Sequence, residues 1–222
     1  MRPLQLLTFA ALGLVAAPAL TSCNALYFAA AEQLGTHVRD ILVDRVVTAK
    51  ETQVVAQEQF KTTLEVFQEA AGSSPDTKIE KMYKKLKSEY ESCEKRADAV
   101  EDRVDAVEDA SKRLFSEWAG EVEQITDTSM KADSARLRTQ AMADYDDLIA
   151  KMREAEAKMD PVLTAFKDRV LFLKANLNFS AISSLGNTLE SIEGDVADLI
   201  ADMQASIDEA DAFIESIGGP DA

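Results

Sequence analysis

Apolar residues recur along this chain at steps of three and four, the spacing that puts side chains on one face of a helix. From near Ala25 to Ala71 the stripe is Leu34, Val38, Leu42, Val46, Ala49, Ala56, Phe60, Leu64 and Phe67. It stops at Ala71-Gly72-Ser73-Ser74-Pro75-Asp76. There Gly72 fits a residue just past a helix end, Ser74 an N-cap and Pro75 a first helical position. A second segment holds the most regular pattern: Ile79, Tyr83, Leu86, Tyr90, Cys93, Ala97, Val100, Val104, Val107, Ser111, Leu114 and Trp118. This is a heptad seam, with charges such as Glu101, Asp102 and Arg103 between its positions. It fades at Ile125-Thr126-Asp127-Thr128-Ser129, a polar turn that can supply a new N-cap.

The third segment, about Ser129 to Leu177, carries Ala141, Tyr145, Leu148, Met152, Ala155, Met159, Val162, Phe166, Val170, Leu173 and Leu177. Pro161 falls inside it. Because the stripe keeps its phase across the proline, a kinked but continuous helix is expected, with Asp160 available to cap a restart. After Asn176-Leu177-Asn178-Phe179-Ser180, a fourth segment runs from about Ala181 to Ile217 through Leu185, Leu189, Ile192, Val196, Leu199, Met203, Ala210 and Phe213. Gly218-Gly219-Pro220 ends it. No segment alternates as a strand would. The expected fold is all-α: an elongated antiparallel helical bundle, or coiled coil, of about four long helices joined by short turns. Helices of about 40–50 residues would be roughly 60–75 Å long.

The first residues follow a different rule. Met1-Arg2-Pro3 precedes an apolar run from Leu4 to Ala17, then Pro18, Ala19 and Leu20-Thr21-Ser22-Cys23. That is the order of a secretory signal peptide, and the run is too short to span a bilayer as a helix. Leu20-Thr21-Ser22-Cys23 is similar to a lipobox. Cleavage would fall between Ser22 and Cys23, and the Cys23 thiol would carry diacylglycerol as a thioether. The organisation expected is a signal peptide at 1–22, a lipidated tether at 23–33, one bundle domain at 34–217 and a tail at 218–222. Asn24, where an aspartate resembles an inner-membrane retention signal, favours the outer membrane over the inner. The body would then face the periplasm, with the membrane as its partner through the N-terminal lipid.

Composition agrees with helices: glycine and proline are scarce, and Lys and Arg number 24 against 40 Asp and Glu, a net charge of −16. Such a surface disfavours nucleic acid. Catalytic chemistry is hard to assemble. His37 is the sole histidine, which removes zinc sites needing several imidazoles and di-iron sites built on paired Glu-x-x-His. No Gly-x-Ser-x-Gly elbow and no phosphate loop ending in Gly-Lys-Ser/Thr occurs. The acid pairs Asp146-Asp147 and Glu154/Glu156 read as solvated helix face, and Trp118, Met142, Met152, Met159 and Met203 as core. No enzyme activity, cofactor or metal is expected.

Cys93 lies on the seam, as either a buried inert thiol or a disulfide across a parallel homodimer. Two runs cover more than one helix face: Ile41-Leu42-Val43 with Val46-Val47, and Val170-Leu171-Phe172-Leu173. Ile41, Val43, Leu171 and Phe172 are expected to pack together in the centre of the bundle. The competing reading makes them an exposed patch for a partner.

Several stretches bear a family likeness: Arg39-Asp40-Ile41-Leu42-Val43-Asp44-Arg45-Val46-Val47, Ala99-Val100-Glu101-Asp102-Arg103-Val104-Asp105-Ala106-Val107-Glu108-Asp109, Met159-Asp160-Pro161-Val162-Leu163 and Val170-Leu171-Phe172-Leu173-Lys174-Ala175-Asn176-Leu177-Asn178. With these the chain resembles an uncharacterised family of Gram-negative bacterial proteins, a domain of unknown function. The resemblance implies a helical envelope protein and transfers no catalytic or binding residue. The function expected is a non-enzymatic scaffold or protein-docking bundle in the cell envelope. The alternative is a chaperone-like module that opens its stripe to an amphipathic ligand.

Overall fold

The structure, a computed structural model, describes residues 37–73, 78–176, 178, 180, 184–186 and 189–218. They fall within a unit that begins at His37. Four helices hold them: α1, Val38–Ala71; α2, Ile79–Gln124; α3, Thr128–Ala175; and α4, Leu189–Ser216. Among the described residues there is no strand.

Each helix packs on its sequence neighbours, and α4 closes the ring on α1. Cross-helix pairs fix the directions. Lys85 pairs with Glu69 at 2.5 Å, and Cys93 Sγ lies 3.1 Å from Thr63 Oγ1, so α2 descends as α1 rises. Trp118 Nε1 donates to Ser134 Oγ at 3.0 Å, while Arg153 reaches Asp105 at 2.6 Å and Glu108 at 2.8 Å. Lys158 pairs with Asp202, and Lys50 with Asp211 at 2.5 Å. All four adjacent pairs are therefore antiparallel, as short turns require. It follows that α1 and α3 run parallel, across the diagonal of the ring.

The predicted stripes are the core. On α2, Leu86, Cys93, Ala97, Val100, Val104, Val107, Ser111 and Leu114 are all buried. On α3, every stripe position from Leu148 to Leu173 is buried. The diagonal is filled by aromatics: the Phe166 ring stacks on Phe67 with centroids 4.9 Å apart and on Phe60 at 6.4 Å. α3 runs through Pro161 without interruption, with the proline on its exposed face. The missing N–H costs one hydrogen bond but moves no core position out of phase.

Helix ends follow local chemistry, with two departures from expectation. Asp127 caps α3 by accepting from Ser129 N and Met130 N, both at 2.9 Å. Gly218 ends α4 with φ 79, the left-handed conformation that glycine adopts without a Cβ penalty. Gly72 does not behave this way: its φ is −84, and α1 ends on ordinary backbone bonds to Gln68 and Ala70 carbonyls. α2 starts at Ile79 with Lys78 as its cap, rather than at Pro75. Ser74 and Pro75 lie outside the described residues.

Two substitutions separate packing from backbone effects. Phe166→Ala empties the diagonal and should lower stability by about 3–5 kcal/mol. Pro161→Ala restores a helical hydrogen bond on the exposed face and should raise it by about 1–3 kcal/mol. Urea unfolding followed by circular dichroism at 222 nm reads both; equal and opposite signs to these would refute the assignment of the core.

Candidate functional site

The residues singled out in the sequence do not gather at one place. Ser22 and Cys23 lie outside the described residues. Ile41 and Val43 are buried, at 0% and 5% exposure, while Leu171 and Phe172 stand open at 49% and 42%. The expectation that these four pack together is therefore wrong. The reason is topological. Parallel α1 and α3 put Ile41 at the starting end of the bundle and Leu171 at the opposite end, roughly 40 Å away by helix rise. What Phe166 meets instead is Phe60 and Phe67, from the far half of α1.

Cys93 is free and fully buried. Its sulfur faces Thr63 of α1, so here the seam is closed within one chain. Burial pushes the thiol from its ordinary 9.0 up to about 12, only partly opposed by the Thr63 hydroxyl. Tyr145 moves in the same direction, again chiefly by burial, with the Ser111 hydroxyl opposing. Both groups are held neutral in the folded state.

The remaining candidates are solvated or structural. His37 is exposed and stands at the N-cap of α1 without a side-chain capping bond. Asp146 and Asp147 are exposed. Glu156 is held by Arg153 Nη1 at 2.7 Å, in the same clamp as Asp105 and Glu108. Met152, Met159 and Met203 are core, and Met142 and Trp118 are half-buried. Among the described residues no three His, Cys, Asp or Glu side chains gather as metal ligands, and no helix is long and apolar enough to cross a membrane.

Two features were missed by sequence reasoning. The first is a buried polar layer on the α1–α4 seam. Ser206 Oγ donates to Gln53 Oε1 at 2.9 Å, and Gln57 Nε2 donates to the Ile200 carbonyl at 3.1 Å. Gln53 Nε2 is buried with no hydrogen-bond partner. The signal was present, because Gln53 continues the spacing from Ala49 to Ala56. The second is cationic. The cap and first turns of α2 carry Lys78, Lys81, Lys84, Lys85 and Lys87. Between them and the end of α1 lies an open recess of about 460 Å³ lined by Glu69, Lys78, Lys81, Met82 and Lys85.

The buried thiol gives a chemical test. In the native protein at about pH 8, Cys93 should fail to react with a thiol reagent, and should react at once in guanidinium chloride. The fold favours the protonated thiol and phenol, so their contribution is whole below their ordinary values of 9.0 and 10.0 and declines as pH rises above them, for Cys93 up to about 12. Urea midpoints should therefore fall on the alkaline side. Fast native labelling would refute the buried placement.

No curated protein and no solved structure matches the chain. A family model does match, over residues 27–217, and by that match the chain belongs to the family described as Protein of unknown function (DUF2959).

Proposed function

We propose that this protein is a membrane-anchored lipoprotein of the Gram-negative envelope whose helical bundle serves as a scaffold and docking body, without catalysis of its own. The observation that carries the reading is how the apolar stripes are used. Each helix buries its stripe against its neighbours, through Leu86, Val104, Leu148, Phe166, Val196 and Leu199 among others. The surface left outside is mostly charged. A dry core with a solvated exterior suits a body that holds position.

The N-terminal sequence supports the anchor. Leu20-Thr21-Ser22-Cys23 follows an apolar run, and residues 24–36 are enough chain to lead from a lipidated Cys23 to the bundle. Two or more acyl chains hold a protein firmly where one does not. The body would face the periplasm, with Asn24 favouring the outer membrane. Leu171 and Phe172 stand open, as do Val54, Val55, Met130 and Leu137 elsewhere on the surface, and such side chains are where a docked partner would find apolar contact.

Fractionation of cells expressing the full chain tests the anchor. Wild type should sediment with membranes and incorporate labelled fatty acid; Cys23→Ala should lose the label and accumulate as the longer, unprocessed form. A wild-type protein that carries no label would end the lipoprotein reading.

A further inference from the structure

α4 is held to the bundle by a different kind of seam from the one that joins the other three helices. Five polar side chains are buried among the described residues, and three of them, Gln53, Gln57 and Ser206, lie between α1 and α4. Gln53 Nε2 has no partner there. Along the same seam Lys50 meets Asp211, and Gln68 Nε2 donates to Glu193 Oε1 at 2.8 Å, both at the surface. On the other side Lys158 of α3 reaches Asp202, again partly exposed. Water can replace the partner in each of these contacts. It cannot replace the stack of Phe166 on Phe60 and Phe67, which joins α1 to α3 through the core.

The sequence of α4 adds two further weaknesses. Asp195, Asp198 and Asp202 follow at steps of three and four, as do Asp208, Asp211 and Glu215, and like charges at that spacing repel along a helix. α4 has no basic residue of its own, so its counter-charges, Lys50 and Lys158, belong to α1 and α3. Gly194 lies inside α4 on its exposed face, where a Cβ would meet nothing within 4 Å. Packing does not require glycine at that position, and the helix is weaker for having it.

We propose that α4 is a strap, which leaves the bundle and melts as one unit while α1, α2 and α3 stay packed. On opening, Gln53, Gln57 and Ser206 exchange an incomplete set of partners for water. α4 loses its only cations, keeps its like charges and its glycine, and does not persist as a helix. The three helices left behind still hold together, because α2 packs on both α1 and α3 and the phenylalanine stack joins those two directly. Proteins open in cooperative units of this kind below the threshold of global unfolding. The bundle therefore has a second state, in which the core faces of α1 and α3 that α4 covers stand open. This device goes beyond the scaffold reading and does not depend on the anchor.

Hydrogen exchange of the full chain, read by mass spectrometry peptide by peptide and corrected for intrinsic rates, tests the strap. Amides of residues 192–213 should exchange together, at least about tenfold faster than those of residues 86–107 and 148–170. Gly194→Ala, which touches no other helix, should slow α4 exchange about fivefold. Gln53→Leu with Ser206→Ala removes the polar pair and the unpartnered amide together, and should slow it too. Leu86→Ala separates the strap from global unfolding. Leu86 is fully buried on α2, across the diagonal from α4, and its packing is common to the closed and strap-open states. The substitution should speed exchange in residues 86–107 at least about tenfold and leave α4 at its wild-type rate. Val104→Ala is the milder form of the same test and serves if Leu86→Ala does not fold. Protection of α4 equal to that of α2 would overturn the proposal. So would α4 exchange that rises in step with α2 in these α2 variants, or that ignores both Gly194→Ala and the Gln53/Ser206 replacement.

Discussion

A helix with one apolar stripe can be dried only by other stripes, and that constraint organises this molecule. Two such helices leave half of each stripe wet, whereas four in a ring close it. The ring requires α4 to return to α1, and the closing seam is where the structure departs from a purely apolar core. Val196, Leu199 and Met203 continue the stripe of α4, but Ser206 and Gln53 meet beside them. Phe166 crosses the diagonal to Phe60 and Phe67, so α1 is bound to α3 as well as to its two neighbours.

The polar layer has a physical consequence for register. Apolar heptads slide past one another by seven residues with little change in burial. A buried glutamine does not, because a slip separates it from its partner and leaves both groups desolvated and unpaired, at about 1–3 kcal/mol each. Gln53 with Ser206, and Gln57 with the Ile200 carbonyl, penalise slippage on the one seam that joins elements remote in sequence. Thr63 with Cys93 does the same on the α1–α2 seam. The unpartnered Gln53 Nε2 makes the α1–α4 seam less favourable than an apolar one. Specificity of alignment is the compensating gain.

Periodicity made the helices and most of the core legible. The stripe from Leu148 to Leu173 needed no knowledge of neighbours, since phase alone identifies it, and Asp127 was visible as a cap from its place before Thr128-Ser129. Two kinds of information were not in the pattern. Residue type misled at Gln53 and Thr63, where a polar side chain occupies a seam position. Width misled at Leu171 and Phe172: four adjacent apolar residues were read as burial on several sides, yet Val170 and Leu173 face the core and the two residues between them face outward. Which of four apolar residues in a row point inward is set by where the neighbouring helices lie, and a run without polar breaks does not mark that phase. The lysines of α2 were overlooked because they sit on a face that a helical stripe leaves unconstrained.

Charge shows the same division between what folding requires and what it leaves free. α4 has nine acidic residues and no basic one between Leu189 and Ser216. It is held by cations from its neighbours, Lys50 of α1 on Asp211 and Lys158 of α3 on Asp202. Both pairs are partly exposed, so each contributes modestly, and the apolar stripe does most of the holding. Folding therefore did not demand nine carboxylates on α4, nor five lysines at the cap and first turns of α2. Their effect is on the field outside: α4 makes one side of the bundle strongly negative, while the lysines of α2 stand across the diagonal from it. A bundle with the same core and its charges spread evenly would fold equally well. The asymmetry is thus a feature that folding leaves free, set on faces the apolar stripes do not use.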